Sequence, residues 1–117
     1  MHHTYTGSNR RHFIASVAAL GISPWAQAAT TPHVLILGDS LSAEYGLARG
    51  TGWVALLEQK LQQEKHNTRI TNASISGETT SGGRSRLPAL LQQHQPSVVV
   101  IELGGNDALR GLPLAGT

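Results

Sequence analysis

Residues 34–42 read Val-Leu-Ile-Leu-Gly-Asp-Ser-Leu-Ser, an apolar run that ends at a glycine and continues with small polar residues. A continuous apolar run is typical of a strand buried on both faces, and a glycine directly after it allows the backbone to turn sharply. Ser40 would then stand at the carboxyl edge of a parallel sheet, where ligands of open α/β sheets bind. An ordinary strand-to-helix turn is the alternative interpretation of Gly38-Asp39-Ser40, because aspartate and serine are common helix caps.

A strand followed by a glycine-containing turn occurs twice more along the chain. Residues 68–72 continue into the turn 73–79, and residues 97–103 continue into Gly-Gly-Asn-Asp at 104–107. Parallel strands have their carboxyl ends at the same edge of a sheet. Three such strands would therefore present Ser40, Gly77 and Asn106 along one edge.

Two segments between the strands have the spacing of amphipathic helices. The first carries apolar residues at i, i+3, i+4 and i+8: Trp53, Leu56, Leu57 and Leu61. We interpret Trp53 as a core residue. The second helix is predicted over residues 86–95, where Pro88 fits only the first turn or a kink and Pro96 ends the helix. Strands that alternate with helices through right-handed crossovers predict an α/β fold with a parallel sheet.

Three sequence blocks resemble those of the GDSL esterases, also called SGNH hydrolases. The blocks are residues 36–43, 72–79 and 102–107, and the resemblance extends from about His33 to the end of the chain. It points to the bacterial periplasmic branch of arylesterases, thioesterases and lysophospholipases. The resemblance implies a flavodoxin-like, three-layer fold with a parallel sheet of strand order 2-1-3-4-5. About three of those five strands would be present here, so the sheet would be incomplete.

The same resemblance implies roles for individual residues. Ser40 would be the nucleophile that attacks an acyl carbonyl and forms an acyl-enzyme. The backbone N–H groups of Ser40 and Gly77 and the side-chain amide of Asn106 would form the oxyanion hole. Independently of the resemblance, Asp39 and Asp107 are predicted to support the site by capping helices or tying loops together, because aspartate is a common helix cap. The substrate would be a small acyl ester, a thioester or a lysophospholipid, with no cofactor.

The family takes its catalytic aspartate and histidine from a late Asp-x-x-His block, and this sequence contains no such block. Neither Asp39 nor Asp107 is followed by a histidine at the third position. Three of the six histidines lie in the first 28 residues. The other three are predicted to precede the first strand, to lie in a polar loop and to end a helix, with solvent-facing or capping roles: His33, His66 and His94.

We therefore interpret the chain as the amino-terminal part of an esterase that is inactive by itself. A truncated, non-catalytic remnant or pseudoenzyme is the alternative, in which Ser40 only occupies a turn. A phosphate- or nucleotide-binding module is a third hypothesis, since a glycine turn after a first strand can hold a phosphate. Neither Gly-x-Gly-x-x-Gly nor Gly-Lys-Ser/Thr follows any predicted strand, which argues against that module.

Residues 1–28 have the pattern of an export signal. Arg10 and Arg11 precede a modestly apolar run over residues 13–22, and Ala26-Gln27-Ala28 forms a small-x-small cleavage site. The run is about half the length of a bilayer-spanning helix, so we expect no membrane anchor. Both a twin-arginine signal and a general secretory signal fit the pattern. Residues 29–117 would then reach the periplasm or the medium through the export machinery.

Composition excludes several other classes of function. The chain has nine basic and seven acidic residues, and loss of Arg10 and Arg11 with the signal would leave seven of each. A near-neutral chain without a basic stripe is not expected to bind nucleic acid. The sequence has no cysteine, which excludes disulfides and thiolate chemistry. No histidines or carboxylates have metal-ligand spacing, so we expect no metal.

Overall fold

Three parallel strands form the centre of the structure. The computed structural model describes residues 31–117, and the predicted export signal over residues 1–28 lies outside the described residues. The strands are β1 (His33–Gly38), β2 (Arg69–Asn72) and β3 (Val98–Glu102), arranged in the order β2-β1-β3. The predicted strands and the 2-1-3 part of the predicted strand order are confirmed.

β1 is the buried centre of the sheet because it has a parallel neighbour on each side. Leu35 is in register with Thr71 of β2 and with Val99 of β3. Residues 35–37 have no exposed surface, and the buried Val54 adds to the same core. An apolar run of this kind is what a strand covered on both faces requires.

The first helix, α1 (Trp53–Gln63), forms where it was predicted, but its buried residue is Val54, and Leu56 of the predicted apolar face is 54% exposed. Its tryptophan does not behave as predicted. Trp53 is 38% exposed, and its indole Nε1 donates a hydrogen bond to Ser42 Oγ at 2.9 Å. The prediction that Trp53 is a core residue is therefore wrong, because a polar partner holds the indole at the edge of the sheet.

The second helix, α2 (Thr80–His94), begins six residues earlier than predicted, so that Pro88 lies in its interior. The Thr79 side chain caps the helix by accepting the N–H of Gly82 at 3.2 Å. Glycines are poor helix formers, which made a helix start before Gly82 unexpected. The adjacent Gly83 has a packing role, since a Cβ at this position would collide with the side chain of Leu103. Glycine thus allows α2 to lie close to the sheet.

β3 is followed by a short helix, α3 (Gly105–Leu109), and by a single 3₁₀ turn over Leu114–Gly116. The four apolar side chains of β3, residues 98–101, are between 36% and 58% exposed among the described residues. A strand that is apolar on both faces is typical of the interior of a parallel sheet. Within residues 31–117, no helix has the length and apolar character needed to span a bilayer.

Candidate active site

Ser40 lies in a turn that follows β1, at the carboxyl edge of the sheet. Two hydrogen bonds shape this turn. The Asp39 carbonyl accepts the N–H of Ser42 at 3.1 Å, and the Asp39 carboxylate accepts the N–H of Leu41 at 3.0 Å. Ser40 is half-buried, and its Oγ has no hydrogen-bond partner among residues 31–117. The hydroxyl is thus held in place by its backbone and left available for a reacting group.

Gly38, the last residue of β1, is required for a different reason from the one predicted. Its φ is not in the left-handed region, so the chain does not need glycine there to turn. A Cβ at Gly38 would instead come within 2.7 Å of Ser42 Oγ and 2.9 Å of Glu102 Oε1. Real Cβ atoms do not approach other atoms so closely, and any larger residue would push the turn away from β3.

A buried hydrogen-bond network beneath the Ser40 turn was not predicted. Ser42 is 1% exposed, donates to Glu102 Oε1 at 2.8 Å and accepts from the Trp53 indole. The same Glu102 oxygen accepts the backbone N–H of Asp39 at 3.3 Å. The residues on both sides of Ser40 are therefore tied to β3. The sequence signal that could have indicated this network is Glu102, a carboxylate at the end of an otherwise apolar strand.

Gly77 lies in the loop between β2 and α2, with a φ of +83°. This left-handed conformation favours glycine, which adds a backbone reason to the predicted need for close substrate approach. Two bonds fix the start of the loop against β1: Ala73 N–H to Ile36 O at 2.8 Å, and Ile75 N–H to Gly38 O at 3.1 Å. Among residues 31–117, no protein acceptor takes the N–H of Gly77 or the N–H of Ser40.

Asn106 connects the three turns. It lies in the first turn of α3, and its Nδ2 donates to the carbonyl of Glu78 at 2.9 Å and lies 3.4 Å from Asp39 Oδ2. Asp39 directly precedes Ser40, and Glu78 directly follows Gly77. These contacts bring the three loops that carry Ser40, Gly77 and Asn106 to one place at the carboxyl edge of the sheet.

Asp107 is buried and caps α2. One carboxylate oxygen accepts the N–H of Thr80 at 2.9 Å, and the other accepts the Thr80 hydroxyl at 2.6 Å and the Thr117 hydroxyl at 3.4 Å. These bonds lower the pKa of Asp107, chiefly through the Thr80 hydroxyl and then through the Thr80 N–H. A carboxylate at a helix N-terminus also interacts favourably with the helix dipole. Asp107 thus fixes the start of α2 against α3.

Replacing Asp107 with asparagine should reduce the stability of the full-length protein most at neutral pH. Because the pKa of Asp107 is lowered in the folded state, its contribution is complete above the unfolded pKa of about 4 and is lost as pH falls through the folded value. The stability difference between the parent and Asp107→Asn should therefore shrink as pH falls below about 4. Urea unfolding of both proteins between pH 7 and pH 3 measures this difference, and a difference that does not change with pH would contradict the assignment.

No histidine among residues 31–117 lies at the edge that carries Ser40. His33 begins β1 at the opposite end of the sheet, as predicted, and His94 ends α2. His33 is buried, with Nε2 2.7 Å from Thr71 Oγ1, so it does not face solvent. Its Nδ1 lies 3.0 Å from the carbonyl of His94 at the end of α2, which fits the capping role that was the other predicted possibility. Within the described residues, no group of three histidine or carboxylate side chains could hold a metal ion.

Comparisons with known proteins find related sequences and folds. Residues 36–117 match the model of the GDSL-like lipase/acylhydrolase family. Esterase TesA of Pseudomonas aeruginosa is 55% identical over 86 residues, which is 74% of this chain and 43% of the relative. Thioesterase 1/protease 1/lysophospholipase L1 of Escherichia coli is 55% identical over 85 residues, which is 73% of this chain and 39% of the relative. The chain thus spans about two fifths of the length of these relatives.

The fold also matches a solved structure. The crystal structure of the psychrotrophic esterase EstA from Pseudoalteromonas sp., inhibited by monoethylphosphonate, superposes with a TM-score of 0.69 at 54% identity. The match covers 72% of this chain and 46% of the esterase chain. The predicted α/β fold with an incomplete parallel sheet is confirmed by this likeness and by the strand order described above.

Proposed function

This chain belongs to the GDSL-like lipase/acylhydrolase family, and from that premise we propose that its residues are the amino-terminal part of a serine hydrolase that cleaves carboxylic esters or thioesters. The observation that carries the proposal is the meeting of three turns at one sheet edge through the two Asn106 contacts. Those turns carry the hydroxyl of Ser40 and the backbone N–H groups of Ser40 and Gly77. None of these three groups has a hydrogen-bond partner among residues 31–117.

In the proposed reaction, Ser40 Oγ attacks the acyl carbonyl carbon while its proton passes to a general base. The carbonyl oxygen becomes negative, and the N–H groups of Ser40 and Gly77 and the amide of Asn106 donate to it. Collapse of this intermediate expels the alcohol or thiol, which takes the proton from the base, and leaves an acyl-serine. Water then attacks the acyl-serine while the base takes its proton. The second intermediate collapses as that proton passes to Ser40 Oγ, which releases the acid and free Ser40.

The general base in this proposal is the histidine of an Asp-x-x-His block supplied from outside residues 1–117, and the aspartate of that block orients it. The exposed β3 supports a role for such a further segment, since its apolar faces are suited to additional strands and helices. The non-catalytic remnant is the competing hypothesis. The sequence of the source DNA beyond codon 117 distinguishes the two, because an open frame that reaches Asp-x-x-His supports the enzyme and an immediate stop codon supports the remnant.

The proposed substrates are small aryl or alkyl esters, thioesters and lysophospholipids. Large apolar side chains on the three turns support this choice. Leu41 and Tyr45 follow Ser40 and are 71% and 75% exposed, Ile75 precedes Gly77 at 47%, and Leu109 follows Asn106 at 86%. Exposed apolar residues near the reacting groups in the sequence suit a substrate with an apolar acyl or aryl group.

The proposed location is the periplasm or the medium, after export directed by residues 1–28 and cleavage near Ala28. Support for this location comes from the sequence pattern of the leader, with two arginines before a short apolar run.

A serine-directed fluorophosphonate probe tests the proposed function. In the full-length protein we expect stoichiometric labelling on the peptide that contains Ser40, because an activated serine attacks phosphorus as it attacks an acyl carbon. Mass spectrometry of the digested adduct locates the label, and protein denatured before exposure to the probe is the control. Absence of labelling above that control, or labelling at another residue, would contradict Ser40 as the nucleophile.

A further inference from the structure

We propose that Arg110 is a positioning residue that holds the N–H of Gly77 in the oxyanion hole, an inference that rests on the proposed function. Arg110 directly follows α3. Its backbone N–H donates to the carbonyl of Asn106 at 3.0 Å, and its guanidinium Nη2 donates to the carbonyl of Gly77 at 2.8 Å. One residue thus connects the two oxyanion donors that lie outside the serine turn.

Gly77 needs such a partner because its backbone is not restrained by a side chain. Its φ of +83° is one of several backbone conformations that a glycine can adopt at little cost. A Cβ built on Gly77 would lie 3.6 Å from the Arg110 guanidinium, so the cation covers the side of the peptide on which other residues carry their side chain. The guanidinium therefore limits the backbone motion of Gly77, as a side chain does at other residues.

Two successive carbonyl groups of this loop are held from α3 and its end. Arg110 binds the carbonyl of Gly77, and Asn106 Nδ2 binds the carbonyl of Glu78 at 2.9 Å. The Gly77 carbonyl belongs to the peptide whose N–H is that of Glu78, and this N–H donates to the carbonyl of Ile75 at 3.1 Å. Both polar groups of the peptide are thus held, and the Gly77 N–H, on the other side of the Gly77 Cα, is restrained through the φ and ψ of Gly77. A hydrogen bond from a cation is stronger than one from a neutral donor, which makes arginine suited to an exposed position where water competes.

Since Arg110 is exposed, replacing its side chain should leave the fold intact and change only the position of the Gly77 N–H in the oxyanion hole. We propose to compare Arg110→Met and Arg110→Lys in the full-length protein. Arg84→Met is the matched control, because Arg84 is an exposed arginine of α2 whose side chain has no hydrogen bond among residues 31–117. Titration with the fluorophosphonate probe gives the concentration of active sites in each preparation.

The measurements are kcat and KM for a p-nitrophenyl ester and the inhibition constant of an alkylboronic acid. The boronate forms a tetrahedral, negatively charged adduct with the serine, and its affinity therefore reports on the oxyanion hole. We expect Arg110→Met to lower kcat about tenfold with KM changed less than about twofold, because misplacing one donor slightly is enough for such a loss. The boronate should bind about tenfold more weakly, Arg110→Lys should recover most of both losses, and Arg84→Met should match the parent.

A purely structural role for Arg110 predicts a different result. It would lower the concentration of active sites while leaving the kcat per active site and the boronate affinity unchanged, and that outcome overturns the inference. Equal kcat in Arg110→Met and the parent overturns it as well. If the parent itself shows no hydrolysis that depends on Ser40, the proposed function is overturned and this inference falls with it.

Discussion

Replacing Ser40 with alanine should abolish ester hydrolysis by the full-length protein, with kcat reduced about 10⁶-fold. The alanine variant keeps the three oxyanion donors, because two of them are backbone N–H groups and the third belongs to Asn106. It lacks the only atom in the proposed mechanism that can form the acyl-enzyme. The residual rate should be that of ester bound next to the oxyanion donors and attacked by water. Hydrolysis of a p-nitrophenyl ester measures both rates.

The same substitution should leave the fold almost unchanged. Ser40 Oγ has no hydrogen-bond partner among residues 31–117, and the turn is shaped by the backbone and the Asp39 carboxylate. Truncating a half-buried hydroxyl that has no protein partner should shift the melting temperature by less than about 2 °C. Thermal unfolding followed by circular dichroism therefore separates loss of chemistry from loss of structure.

Ser42→Ala is the matched control, because Ser42 has the same chemistry two residues away and the opposite environment. Its buried hydroxyl accepts from Trp53 Nε1 and donates to Glu102. Removal leaves both partners without this bond and should lower the free energy of unfolding by about 1–3 kcal/mol. The nucleophile remains, so most of the hydrolysis should remain as well. Equal losses of hydrolysis in the two variants would contradict the assignment of Ser40.

The sheet and the edge that carries the site could be predicted because their signals are local. The apolar run before Gly38, the turn after it and two similar units fix three parallel strands and their carboxyl ends. The blocks around Ser40, Gly77 and Asn106 identified the family from residue types alone. Each of these inferences needs a window of fewer than about ten residues, within which periodicity and turn chemistry are informative.

The parts that could not be predicted depend on contacts between distant residues. The bond from Ser42 to Glu102 joins residues 60 positions apart, and the bond from Arg110 to Gly77 joins residues 33 positions apart. Whether these atoms meet depends on the register of β1 against β3 and on the left-handed backbone of Gly77. The early start of α2 had a similar cause, because Gly83 is favoured there by packing against Leu103 in spite of its poor helix propensity.

Asn106→Ala should lower kcat of the full-length protein by about 10²- to 10³-fold while KM changes little. The negative oxygen exists only in the transition state and the intermediate, so a donor that binds it contributes to kcat more than to substrate binding. In the structure, Asn106 Nδ2 donates to Glu78 at 2.9 Å, and its contact to Asp39 is longer, at 3.4 Å. We expect Asn106 Nδ2 to give up its longer contact, to Asp39, and to donate to the oxyanion instead, because the longer contact is the weaker of the two. The shorter bond keeps the amide in position during this exchange.

Asn72→Ala is the control that separates oxyanion binding from the loss of an amide hydrogen bond. Asn72 ends β2, and its Nδ2 donates to the carbonyl of Ser42 at 2.8 Å, which resembles the bond from Asn106 to Glu78. Both substitutions should lower the free energy of unfolding by about 1 kcal/mol, because each removes an amide donor to a backbone carbonyl. Only Asn106→Ala should lower kcat by two orders of magnitude or more. If both variants lose the same small factor in kcat, the side chain of Asn106 serves only to hold Glu78, and the oxyanion is bound by the backbone N–H groups of Ser40 and Gly77 alone.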